Sequence, residues 1–152
     1  MSTKVRLIAL GVVVAVVAFL LEPNSPLGGF WAPADDMPEP SGAQVPLFII
    51  LGIVEAAALG IGAAFIAWAF TRVPAIAASL GTSVPSTRGA LVAVAWLLTN
   101  WWVHDSLHIN NGTDLGGLLV IEYLFHVTLI AGGVYLAWFF AQAVMAGRRA
   151  SA

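Results

Sequence analysis

The sequence predicts an all-α fold: an integral-membrane four-helix bundle with both termini on the cytoplasmic side. Three observations carry that expectation. The chain of 152 residues is 60% hydrophobic and only 9% charged, with a mean hydropathy of +0.92, whereas a soluble domain is nearer a quarter charged. It contains four apolar runs near the length a spanning helix needs, roughly 20 residues with a range of about 17–25. Its six basic residues, Lys4, Arg6, Arg72, Arg88, Arg148 and Arg149, flank alternate ends of those runs. For a chain that crosses four times they share one side, and the bias of Lys and Arg toward inner flanks makes it the cytoplasmic one. One transmembrane domain over residues 1–152 accounts for the length, and the expected setting is the plasma (inner) membrane, crossed several times.

The first span covers about residues 5–21. Lys4 and Arg6 ahead of "LIALGVVVAVVAFLL" resemble the start of a secretory signal, but "EPNSPLGG" offers no A-x-A-like cleavage site. The run is therefore expected to stay as a span. An outer loop, residues 22–44, holds Pro23, Pro26, Pro33, Pro38 and Pro40, which forbid a continuous helix and suggest an extended segment. Phe30 and Trp31 within it read as interface anchors.

The second span, about 45–71, carries Gly52, Ala56, Gly60 and Ala64 at every fourth position. That small-residue ridge permits close helix contact, more readily within the bundle than between copies. The inner connection "VPAIAASLGTSVPST" is small and turn-rich. The third span covers about 89–108. The turn "INNGTD" follows, with an Asn-Gly turn signal and with Asp114 or Thr113 as helix cap. The fourth span runs over about 115–147. Asn111-Gly112-Thr113 also fits a glycosylation pattern, which carries little weight without other signs of such a source.

Several function classes drop out. With no cysteine there is no disulfide, thiolate nucleophile or cysteine metal site. There is no Gly-rich phosphate loop, nucleophile elbow or H-E-x-x-H. The few basic residues sit at one rim, so nucleic acid is not an expected partner. The expected partners are the lipid bilayer and either other membrane subunits or further copies of the chain.

What remains is a polar cluster. Every histidine lies in "WWVHDSLHINNGTDLGGLLVIEYLFH", residues 101–126, beside Asp105, Asp114 and Glu122, while Glu55 interrupts the second span. Carboxylates inside a membrane cost a few kcal/mol even on mild scales, and mark functional sites by default. Residues four apart share a helix face, so Asn100, His104 and His108 form one stripe and Glu122 and His126 another. Glu55 lies ~14 Å beyond Pro46 by helical rise, which brings it to the height of the others, in the outer half of the bilayer.

Imidazole with carboxylate suits copper, zinc or iron, and bundle metal sites are built from inward side chains on facing helices. Glu55, His104, His108, Glu122 and His126 are therefore the expected ligands, although the spacing departs from the Glu-x-x-His of di-iron bundles. Asn100 and Asp105 would orient the imidazoles by hydrogen bonds. Trp101, Trp102 and Tyr123, with Phe125, read first as an interfacial belt and packing; the alternative is one wall of a site for a lipid-soluble substrate. The expected role is redox chemistry on such a substrate or metal handling, within a larger membrane complex. Haem b is the alternative cofactor, with His104 and His126 as axial ligands and Gly116, Gly117, Gly132 and Gly133 giving room. Against it, no Arg or Lys in the outer half waits for the propionates. A proton relay is a further alternative, though the inner half offers no matching group. So is a non-catalytic structural subunit whose polar groups satisfy one another.

Overall fold

A computed structural model of the chain describes residues 1–23, 25 and 27–150, apart from the side chains of Phe30, Trp31 and Ala150. The anchor role expected of Phe30 and Trp31 thus lies outside the described residues. Among the described residues the secondary structure is helical, with no strand. The elements are α1 (Thr3–Leu20), α2 (Val45–Ala69), α3 (Val73–Leu80), α4 (Val84–Asn111), α5 (Leu115–Glu122) and α6 (Thr128–Ala150). A π-helical turn, Tyr123–Val127, joins α5 to α6 as one long helix.

Three stretches are long and apolar enough to cross a membrane: Thr3–Leu20, Val45–Leu80 and Leu115–Arg149. The expected third span lies in α4, which is longer than residues 89–108 and more polar than the other three. It also has the most buried residues, among them Thr87, Asn100, His104 and Ser106. A helix shielded by its neighbours can carry polar groups that a lipid-facing helix cannot.

Helices adjacent in sequence are adjacent in space: α1 packs on α2, α2 on α4, and α4 on α5 and α6. The arrangement is a row with α2 and α4 in its middle. Ser2 caps α1 by accepting from Val5 N, Ser83 caps α4 by accepting from Ser86 N, and Asp114 caps α5 by accepting from Gly116 N and Gly117 N. The last of these is the cap expected from the sequence.

The small-residue ridge of α2 faces α1. A side chain on Gly60 would meet Gly11 O, and Ala56 is buried beside Ala18 and Trp102. Gly62, on another face, lies against Thr99 and Leu98 of α4. The ridge therefore packs within the chain.

The connection between α2 and α4 differs from the expected loop. Val73–Leu80 is a helix, entered by a short 3-10 turn at Phe70–Arg72 and ended by Gly81 at φ 63°. Pro74 and Pro85 look like breakers in sequence, yet both fall in a first helical turn, where the missing N–H costs nothing.

The connection between α1 and α2, beyond a 3-10 turn at Gly28–Trp31, is docked. Ala34 N donates to Ile109 O at 3.0 Å, and Asn110 Nδ2 donates to Ala32 O at 3.0 Å. Thr113 donates to Asp36 Oδ2 through both its backbone N–H, at 3.0 Å, and its hydroxyl. These bonds fold the loop across the end of α4.

Candidate polar site across the helix row

Helical periodicity places His104, Asp105 and His108 in the last two turns of α4, facing both neighbours. From α2 comes Glu55, only 8% exposed. The end of α5 supplies Glu122 and the π-turn supplies His126. The result is a chain of ionisable groups that crosses the row at one height.

On one side of α4 lies a histidine arm. His104 Nε2 and His108 Nε2 are 3.1 Å apart, and His108 Nε2 is 3.4 Å from Glu122 Oε1. The other oxygen of Glu122 pairs with His126 Nδ1. The His104 and His126 rings stand edge to face with centroids 5.0 Å apart. Each imidazole in this arm therefore meets another ionisable group on a different turn or helix.

On the other side lies an acid arm. Asp105 Oδ1 is 3.2 Å from His104 Nδ1. Asp105 also shares a hydrogen bond with Glu55, and Glu22, immediately beyond α1, is close enough to add its own field to Glu55. Among the described residues, Glu55 reaches the imidazoles through Asp105. Trp102 approaches the carboxyl of Glu22, while Glu22 Oε1 is buried and has no hydrogen-bond partner among the described residues. Burial raises the pKa of Glu22; the Trp102 indole works against that shift and the charge of Asp105 adds to it.

Around the histidine arm the packing is aromatic. Phe125, 2% exposed, stacks on Trp96 with centroids 5.5 Å apart and lies 5.1 Å from His104. Trp101 meets His104 edge-on at 6.5 Å. Of the three residues expected to wall a substrate, only Trp102 is buried. Trp101 is 44% exposed, and Tyr123, at 70%, faces outward. Asn100 does not orient an imidazole: its Nδ2 donates to Trp96 O at 2.6 Å, and its buried Oδ1 has no partner among the described residues.

The π-turn is the feature that periodicity could not show. Such turns are rare and recur at functional sites. It displaces carbonyls from the ordinary ladder, and Thr128 Oγ1 donates to two of them, Leu124 O and Phe125 O. Trp96 Nε1 donates to that same hydroxyl at 2.9 Å, tying the turn to α4. Glu22 was missed because it follows the first apolar run and reads as loop. The available signal was its position directly after "FLL", at the C-terminal end of the helix that packs on α2.

Among the described residues no group of three or more His, Asp or Glu side chains forms a ready-made metal cage. The chain matches no family model, and comparisons with curated proteins and with solved structures also find no match.

Proposed function

We propose that the histidine arm is a transition-metal site held in the outer half of a membrane. The observation that supports this reading most is the spacing of His104 Nε2, His108 Nε2 and Glu122 Oε1, at successive separations of 3.1 and 3.4 Å. Donors bound at about 2.0–2.1 Å to one tetrahedral ion lie roughly 3.3 Å from each other. Three donors from two helices are strung at nearly that edge length, so gathering them around an ion needs side-chain adjustment rather than helix movement. His126 completes the donor set through Glu122. Asp105 holds the His104 tautomer from behind, as carboxylates behind metal-bound imidazoles do. Imidazole and carboxylate together suit copper, zinc or iron. Glu55 belongs to the acid arm and acts on the ion through Asp105.

The ion reading fits better than haem. With His104 and His126 edge to face at 5.0 Å, a macrocycle between them would require α4 and the fourth span to part. The setting proposed is the plasma membrane, crossed four times with both termini inside. Lys4, Arg6, Arg72, Arg88, Arg148 and Arg149 support it, because alternate helix ends bring all six to one face of the row. The downstream role proposed is redox chemistry on a lipid-soluble substrate or metal handling, in company with other membrane subunits.

Elemental analysis of detergent-purified protein tests the site. Close to one copper, zinc or iron per chain is expected, falling by an order of magnitude in His108→Ala while the helical circular dichroism is kept. A wild-type preparation without transition metal, even after incubation with each ion, would overturn the reading.

A further inference from the structure

Between the end of α1 and the start of α2 lies a cavity of about 290 Å³, separate from the histidine arm. Its walls include Phe19, Pro40, Phe48, Ile49 and Gly52, and the carboxyl of Glu22 is set among them. The volume is at the lower edge of the usual small-molecule range of about 300–1,000 Å³. Gly52 lets the Glu22 side chain lie close against α2, since a Cβ there would come within 3.3 Å of Glu22 Cδ. Ser25, also at the wall, already spends its hydroxyl on Leu20 O. Phe48 and Ile49 are each 49% exposed on the outer side of the row, which is where a membrane would lie.

We infer that this cavity binds the hydroxylated ring of a membrane-dissolved phenol or quinol, with the Glu22 carboxyl as its hydrogen-bond partner. Two apolar aromatic walls suit a flat ring. A single carboxyl among apolar walls suits one hydroxyl, whereas a hard cation would demand several oxygen ligands. Glu22 and Gly52 both line the cavity, and Glu22 Oε2 lies on the Gly52 side, whereas Oε1 is enclosed by the protein. The cavity also leads somewhere: Glu22 neighbours Glu55, which bonds Asp105, which holds His104. The inference deepens the metal-site reading by naming a substrate class, and it rests on that reading for the purpose of the binding.

Equilibrium binding of decylhydroquinone to the full chain in detergent tests it, with decylbenzene as the probe lacking hydroxyls. The inference expects saturable binding of one decylhydroquinone per chain and only unsaturable partitioning of decylbenzene. It also expects binding about tenfold weaker or worse in Phe48→Trp, which fills the cavity, and in Glu22→Gln, which weakens the acceptor. Bound metal should be unchanged in Phe48→Trp, and ring binding should persist in His108→Ala. Binding that is unsaturable, indifferent to the hydroxyls, or untouched by both cavity variants overturns the inference. If the cavity variants weaken ring binding in a chain that takes up no metal, the pocket stands and the metal reading alone falls.

Discussion

Asp36 shows how much one side chain can organise. It accepts from Thr113 through both backbone and hydroxyl, and those bonds lower its pKa. A carboxyl depressed in the folded state contributes docking that is complete above its unfolded pKa, near 3.9, and is lost as pH falls through the folded value. The outer loop should therefore stay docked through neutral and mildly acidic pH and release only in strong acid. Hydrogen exchange at the Thr113 amide measures this: in the wild type protection should persist down to about pH 4 and be lost only in stronger acid, and in Asp36→Ala it should be absent at every pH. A protection profile that is flat in pH and unaffected by Asp36→Ala would show that the loop is held by other bonds. Gly112 completes the contact, because a Cβ at its φ of 59° would collide with Asp36. The sequence showed the Asn-Gly turn; the reach of Asp36 across to it, 77 residues away, has no local signature.

Among the elements, the π-turn between α5 and α6 carries most of the site's geometry. Spacing alone put Glu122 and His126 on one face, and they do meet. It could not show the widened turn, since the interaction that stabilises it is a tertiary bond from Trp96 on α4 to Thr128. Thr128→Val removes that acceptor and the hydroxyl bonds to Leu124 O and Phe125 O, at a cost of about 0.5–1.5 kcal/mol, the net worth of an ordinary hydrogen bond. Thr128→Ser keeps the hydroxyl and should recover most of the loss. Thermal unfolding in detergent reports the stability. Metal retention against a chelator reports the site, and it should fall in the Val variant and return in the Ser variant. Equal behaviour of the two would mean that the methyl, not the hydroxyl, holds the turn. α3 teaches the opposite lesson. Its prolines suggested a loop, but first-turn prolines are compatible with a helix, and Gly81 ends it.

The whole molecule is a row of helices whose outer faces expose many large apolar side chains, such as Ile8, Leu119, Val120 and Ile130. Such a surface is suited to lipid. Apolar runs made the four helices legible in the sequence, and three stretches are long and apolar enough to cross a membrane. The polar chain was legible in part. His104, His108, Glu122 and His126 followed from i, i+4 spacing, whereas the link from Glu55 to His104 through Asp105 depends on how α2 rotates against α4, which one sequence does not encode visibly. The chain has no cysteine, so single-cysteine variants report topology cleanly. Ser2→Cys should be protected from an impermeant thiol reagent in intact cells, and Asp35→Cys should react. The reverse pattern would invert the orientation and put the polar chain on the inner side.

The most direct measurement is the X-ray absorption spectrum of the metal bound to purified protein. The account predicts nitrogen and oxygen neighbours near 2.0–2.1 Å, with the outer-shell scattering of at least two imidazoles, reduced by one ring in His104→Ala. A spectrum of oxygen neighbours only, unchanged by removing any histidine, would contradict it.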